Sequence, residues 1–105
     1  MFKTVLTVGL NDKNTEKQEV STQDAKIIIA DTLINKYGVY AFTMLECTGV
    51  YKMDSTGNII QETSFRIEIA TDDAFNYSNI VNALKFALNQ ESIMVETCKA
   101  DIDFI

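Results

Sequence analysis

Four polar side chains alternate along one segment in the middle of the chain. Glu62, Ser64, Arg66 and Glu68 are spaced by two residues, so in a strand they lie on one face, with neighbours about 7 Å apart. An arginine guanidinium is planar and binds carboxylates or phosphates through paired hydrogen bonds. Arg66 could therefore bind a small ligand, with Glu62 orienting the guanidinium or accepting a hydrogen bond from the ligand. We favour the simpler alternative, an ion pair between Arg66 and its neighbouring glutamates, which contributes little to stability.

The other reactive residue types offer little catalytic chemistry. The chain has no histidine, so it lacks the commonest general base and the commonest transition-metal ligand. Cys47 and Cys98 have neither the close spacing of zinc ligands nor a basic cluster nearby that would activate a thiol. Tyr51 could line a ligand pocket, although aromatic residues in such positions more often fill a core or an interface. We predict no catalytic residue, no metal site and no cofactor.

Charge and composition exclude several classes of function. Nine Lys and Arg residues against 15 Asp and Glu residues give a formal net charge of −6, which disfavours direct binding to a nucleic-acid backbone. The length of 105 residues and the 47% hydrophobic content predict a single globular domain over residues 1–105. No apolar run approaches the roughly 18 residues of a membrane span, and residues 1–8 lack the pattern of an export signal. We therefore expect no membrane association and a cytoplasmic location.

Periodicity predicts the elements that position these residues. Two runs rich in β-branched and aromatic residues flank the turn cluster Asp54–Asn58, which is typical of a β-hairpin. Ser21 is a candidate helix cap, and Gly38 stands where a helix would end in a left-handed residue. We predict strands over Phe2–Leu10, Val39–Met53, about Ile59–Thr71 and Ile93–Phe104, and helices over Thr22–Tyr37 and about Thr71–Asn89.

This βαββαβ order indicates an α+β fold of the ferredoxin-like type. We expect a four-stranded antiparallel sheet of order 4-1-3-2, with two helices on one face and the other face open to water, a ligand or another subunit. The sheet would separate Cys47 from Cys98 on opposite edge strands, beyond the reach of a disulfide, so we expect two free thiols.

The second strand points to self-association. Its apolar residues occupy both faces, which predicts a strand buried on both faces, yet the topology places it at an edge of the sheet. A long apolar edge pairs with another chain or aggregates unless it is covered. We therefore expect a homodimer or a larger closed assembly that uses this strand or the open sheet face. The interface residues would be Tyr40, Phe42 and Met44.

Several short motifs resemble a small bacterial domain family of unknown function. They are a strand-ending Gly9-Leu10, a G-x-aromatic hairpin at Gly49-Val50-Tyr51 that leads through Gly57, and an E-x-S at Glu62-Thr63-Ser64. The resemblance implies the ferredoxin-like α+β fold. It implies no activity, because none is established for that family. Short acidic chains of this kind are also frequent in phages and other mobile elements.

From these features we predict a small acidic, non-catalytic binding protein that acts as a homo-oligomer. The frequency of such chains in phages and mobile elements, rather than any residue, suggests that source for the protein. Its partner would be a basic protein, for example a host protein that it inhibits, or a small ligand at the open face or dimer seam. The alternative is a small dimeric α+β enzyme or ligand binder with a polar pocket around Arg66 and Glu62. A concave polar cavity on the open face would favour the alternative, and a flat or filled face would exclude it.

Overall fold

The computed structural model describes residues 1–73 and 75–105. Strands and helices alternate along the chain in an α+β arrangement. They are β1 (Phe2–Gly9), α1 (Thr22–Asp31) with a π-helical continuation (Thr32–Lys36), β2 (Thr43–Lys52), β3 (Ile59–Thr71), α2 (Ser78–Ala87) and β4 (Met94–Lys99). In this described part of the chain, no helix is long and apolar enough to span a membrane.

The four strands form one antiparallel sheet. Its order is β2-β3-β1-β4, which has the same neighbours as the expected 4-1-3-2 when counted from the β4 edge. The central strands β1 and β3 pair from Phe2 opposite Thr71 to Gly9 opposite Ser64. This pairing places Glu62, Ser64, Arg66 and Glu68 on one face of the sheet, as their spacing predicted, because successive side chains alternate between faces.

The other face of the sheet is covered by both helices. Leu6 of β1 and Ile67 of β3 are fully buried, as are Ile29 of α1 and Leu84 of α2. They belong to a single buried cluster that also contains Val8, Leu10, Ala25, Leu33, Phe65, Ile69, Ile80 and Leu88. A slip of one residue in either central strand would turn its apolar side chains towards water, so burial fixes the register. The face without helices is called the open face below.

Both ends of the first helix follow from its local sequence. The Ser21 hydroxyl accepts the N–H of Asp24 at 3.1 Å, which satisfies one of the N–H groups that lack a partner at a helix start. Gly38 adopts a φ of +65° and donates its N–H to the Ile34 carbonyl at 3.1 Å. This left-handed ending matches the prediction from the sequence.

The second helix begins later than predicted. Thr71 is the last residue of β3, where it pairs with Phe2, and the helix starts at Ser78. The Asn76 side chain accepts the Ser78 N–H at 3.2 Å. Strand pairing therefore keeps Thr71 in β3, although the helix was predicted to begin at about this residue. Residue 74, inside the predicted helix, lies outside the described residues.

The edge strands are shorter than predicted. β4 ends at Lys99, opposite Phe2, and one further hydrogen bond joins the Ala100 N–H to the Met1 carbonyl. Residues 101–105 belong to no strand, so the alternating pattern up to residue 104 does not continue β4. The expectation that β2 is buried on both faces is wrong for the single chain, because Leu45 on the open face remains 50% exposed.

Candidate functional site

A cleft of about 600 Å³ occupies one end of the open face. The end of β1, the second half of β2, the first half of β3 and the start of β4 meet there, and residues 11–16 and 90–92 add the rim. Its wall on the sheet includes Thr7, Gly9, Tyr51, Glu62, Ser64 and Met94. The volume lies in the range of small-molecule sites, roughly 300–1,000 Å³.

Glu62 is held in the cleft by a backbone N–H of the segment that follows β1. It stands opposite Gly49 of β2, and Gly9 of β1 lies opposite the next outward residue, Ser64. The Oε2 atom of Glu62 accepts the N–H of Asn11 at 3.0 Å, at the point where the chain leaves β1. A glycine on each side leaves the carboxylate group space to lie along the sheet.

Tyr51 lies beside Glu62 on the same face of the sheet. The residue is 43% exposed and lines the cleft, so part of the side chain packs against the protein and the rest is open to the cleft. Partial burial raises the pKa of the Tyr51 hydroxyl, and the carboxylates of Glu62 and Glu16 raise it further. The phenol is therefore a neutral hydrogen-bonding group at physiological pH, with an aromatic surface available to a ligand.

The cleft is acidic. Five carboxylates and two ammonium groups line it, which gives a formal charge of −3; they are Asp12, Glu16, Asp54, Glu62 and Glu91 against Lys13 and Lys52. A concave site lined by one sign of charge concentrates ligands of the opposite sign. The arrangement therefore suits a cationic small molecule. We name it the acidic cleft.

Asp12 fixes the rim of the acidic cleft. Its carboxylate accepts the side-chain N–H of Asn89 at 2.8 Å and the backbone N–H of Asn14 at 2.8 Å. These hydrogen bonds, the Asn89 bond foremost, hold the pKa of Asp12 below its usual value. This contact joins the segment after β1 to the residues that follow α2.

The structure separates the predicted ligand-binding residues into two groups. Glu62, Ser64 and Tyr51 line the acidic cleft, whereas Arg66 and Glu68 lie farther along β3. There the Nε of Arg66 donates to Glu68 Oε1 at 3.1 Å, and this hydrogen bond lowers the pKa of Glu68. The structure thus contains the favoured interpretation of Arg66, an ion pair with a neighbouring glutamate. The alternative, in which Glu62 orients Arg66 in a pocket, is not found, because Glu62 accepts a backbone N–H instead.

The predicted interface residues do not form one surface. Tyr40, in the segment before β2, is 81% exposed. Phe42 and Met44 instead pack against the buried cluster beneath the helices. Open-face residues of β2 such as Leu45 are the better candidates for contact with another chain.

The sequence pattern does not single out several residues of the acidic cleft. Gly9 and Gly49 belong to short motifs, although a glycine inside a strand often marks the close approach of another group. Asn11 contributes a backbone N–H, for which no side-chain pattern exists. Met94 was assigned to its strand with no role.

The two thiols are unbonded. Both cysteines are free, as expected; Cys47 is half-buried and Cys98 is exposed. No group of three or more His, Cys, Asp or Glu side chains among residues 1–73 and 75–105 is placed to hold a metal ion.

Comparison with known proteins supplies structural neighbours. No protein-family model matches the sequence, and no curated protein matches it. Among solved structures 22 chains match. A phage SAM lyase in complex with S-methyl-5'-thioadenosine has a TM-score of 0.64 at 23% identity, over 93% of this chain and 80% of that chain. A phage SAM lyase in the apo state gives 0.59 at 24% identity, over 92% and 78%.

A third neighbour is a DUF3240 family protein from Shewanella baltica OS155. Its TM-score is 0.55 at 12% identity, over 99% of this chain and 94% of that chain. A domain of unknown function thus shares the fold, in keeping with the motif resemblance to such a family. At these identities the three likenesses show the fold and no more.

Proposed function

We propose that this chain binds S-adenosylmethionine in the acidic cleft and cleaves it, acting as a lyase on a ferredoxin-like α+β scaffold. The observation that carries the proposal is Glu62, held between two glycines by the Asn11 N–H and placed beside the Tyr51 phenol. The phage SAM lyases with a similar fold support it. Their source also supports a phage or mobile-element origin.

The charge of the substrate fits the acidic cleft. S-adenosylmethionine carries a sulfonium and an ammonium group against one carboxylate, so it is a net cation. The cleft has a formal charge of −3, and opposite charges 4 Å apart attract by about 4 kcal/mol near a protein surface. The partly exposed ring of Tyr51 offers a face for stacking on adenine or for contact with the sulfonium.

The reaction follows from the bond that must break. Release of S-methyl-5'-thioadenosine breaks the bond between sulfur and the γ-carbon of the amino-acid chain. The electron pair moves to sulfur, which neutralises the sulfonium and yields a neutral thioether. The γ-carbon then gains a bond from the substrate's own carboxylate oxygen, or the adjacent carbon loses a proton to a base and a double bond forms. Glu62 can neutralise a positive substrate group in the first route and accept the proton in the second.

A product assay tests this proposal. Purified protein is incubated with S-adenosylmethionine, and S-methyl-5'-thioadenosine and the amino-acid product are quantified by mass spectrometry. We expect turnover, with a rate about 100-fold lower in Glu62→Gln, which keeps the shape of the side chain and removes its charge. Glu46→Gln is the matched control, because Glu46 is an exposed carboxylate on β2 outside the acidic cleft.

The outcomes separate the candidate functions. Absence of product together with absence of binding by calorimetry would reject the proposal. Binding without product would leave a ligand-binding protein, the non-catalytic form of the same site. The second candidate function is a non-catalytic interaction protein, and it is supported by the net charge of −6 and the exposed apolar side chains of the β2–β3 hairpin, among them Val50 and Ile59.

We further propose that the chain acts as a homo-oligomer. Leu45 and Met94 are half-exposed apolar side chains on the open face, where a second copy would remove them from water. β2 is an edge strand of ten residues, and its backbone is available for pairing. This assembly is compatible with either candidate function.

A further inference from the structure

Two glycines flank the carboxylate of Glu62, and neither is required by its backbone. Gly9 and Gly49 lie within β1 and β2, and the glycines with positive φ are Gly38 and Gly57. Strand conformations are open to any residue. A reason for glycine at these two places must therefore come from the space that a side chain would fill.

That space is occupied at Gly9. A Cβ atom added there would overlap the Oε1 atom of Glu62 and lie 2.5 Å from its Cδ and 2.6 Å from its Oε2. Such separations are far shorter than a van der Waals contact. The three nearest atoms all belong to the carboxylate group. The carboxylate thus lies where the side chain of any other residue at position 9 would be.

A side chain at position 49 would meet a weaker steric conflict than one at position 9. A Cβ atom there would lie 3.0 Å from the Ser64 hydroxyl oxygen and 3.5 Å from the Cγ of Glu62. A hydroxyl can rotate by a few tenths of an ångström, and the carboxylate itself is not displaced. Gly49 is therefore a matched comparison for Gly9, because it lies on the other side of the same glutamate.

The chain after Gly9 is held in place. The Leu10 N–H donates to the Thr63 carbonyl at 3.0 Å, which extends the pairing with β3 by one residue. The next N–H, that of Asn11, donates to Glu62 Oε2. The Asn11 N–H is therefore fixed in position. The Glu62 carboxylate reaches it by occupying the space above Gly9 that a side chain at position 9 would fill.

We propose that Gly9 is the positioning residue for the Glu62 carboxylate: its missing side chain lets the carboxylate cross the end of β1 and accept the Asn11 N–H. The consequence for catalysis rests on the proposed lyase function, whereas the positioning itself does not. Since the overlapping atoms are the mobile end of a long side chain, Gly9→Ala displaces the carboxylate and leaves the fold in place.

The first experiment needs no ligand. In the wild-type protein, the amide resonance of Asn11 should shift in NMR spectra when acid protonates Glu62, and this response should be absent in Glu62→Gln. We expect Gly9→Ala to abolish the response while most other amide resonances stay unchanged, and Gly49→Ala to retain it. An unchanged Asn11 response in Gly9→Ala would overturn the proposal.

The second experiment measures the effect on the reaction. Displacement of a catalytic group by about 1 Å costs about 100-fold in rate, so Gly9→Ala should lose about that factor in kcat/KM. Gly49→Ala should lose far less. In the Glu62→Gln background, Gly9→Ala should cause no further loss of kcat/KM. The effects of two substitutions are not additive when both act through the same group. An equal loss in both backgrounds would overturn the proposal.

Failure of the two proposals can be distinguished. If the wild-type protein does not cleave S-adenosylmethionine, the lyase function fails, and the NMR experiment still decides the role of Gly9. If Gly9→Ala does not fold, the double variant Gly9→Ala/Glu62→Ala removes the overlap. Recovery of the native circular dichroism spectrum in the double variant would support the proposal, and continued unfolding would reject it.

Discussion

Glu62 shows how much of a functional group's environment can come from the backbone. Its hydrogen-bond donor is the N–H of Asn11, which lies 51 residues away in the sequence. The space that it occupies exists because position 9 is glycine. Neither feature depends on a partner side chain, so the carboxylate is placed by the pairing of β1 with β3.

Tyr51 reports on the charge of that carboxylate. Burial, then the charge of Glu62, then that of Glu16 raise the pKa of the Tyr51 hydroxyl, because a nearby negative charge disfavours the phenolate. We predict that Glu62→Gln lowers the pKa of Tyr51 towards its ordinary value. NMR titration of the tyrosine ring resonances at alkaline pH measures the change.

A second variant controls the titration of Tyr51. The Glu46→Gln variant should leave Tyr51 unchanged. An unaltered Tyr51 titration in Glu62→Gln would mean that the two side chains do not share the acidic cleft.

At the scale of elements, periodic burial is the part of the fold that the sequence predicts. The helical stripes and the alternation in β3 select the residues that are buried, such as Ile29, Leu84 and Ile67. Local signals at Ser21 and Gly38 also predict where the first helix starts and ends. These signals depend on near neighbours in the chain, so they can be recognised without a structure.

Element lengths at the sheet edges depend on partners distant in the sequence. Thr71 has the side chain of a helix cap, but its pairing with Phe2 keeps it in β3. The alternation after Lys99 resembles a strand, but the pairing of β4 with β1 ends at Lys99 opposite Phe2. The position of Glu62 depends likewise on a donor from another strand. Long-range pairing of this kind cannot be recognised in the local pattern.

The end of β4 yields a stability prediction. Phe104 lies beyond the last paired residue and is 80% exposed, whereas Leu6 is fully buried between both helices and the sheet. We expect Phe104→Ala to change the free energy of unfolding by no more than about 0.5 kcal/mol. Leu6→Ala should lower it by about 2–5 kcal/mol, because it leaves a cavity in the core. Urea unfolding measures both values.

The stability of Phe104→Ala relative to Leu6→Ala also tests where β4 ends. If β4 extended to residue 104, Phe104 would lie on the open face with Met94, because residues an even number of positions apart in a strand share a face. A destabilisation by Phe104→Ala of about 3 kcal/mol or more would show that Phe104 is packed against the sheet, and would contradict its exposed position beyond Lys99. The Leu6→Ala variant shows that the assay detects a core deletion.

At the scale of the whole molecule, the two faces of the sheet differ in what they leave uncovered. The helix side buries a single apolar cluster, whereas the open face combines the acidic cleft with half-exposed Leu45 and Met94. Burying such side chains against a second copy stabilises an assembly by about 25 cal/mol for each Å² of apolar surface. The edge strand β2 adds backbone groups that can pair.

We therefore predict that the purified chain is a homodimer or a larger closed assembly, and that Leu45→Asp shifts it towards the monomer. A charge in place of Leu45 would have to be desolvated in an interface on the open face, which is costly without a partner. Phe86→Asp is the matched control: Phe86 is 91% exposed on α2, on the other side of the sheet, so this variant should keep the wild-type mass. Native mass spectrometry measures the assembly directly. A wild-type monomer would refute self-association, and an equal shift in both variants would place the contact somewhere other than the open face.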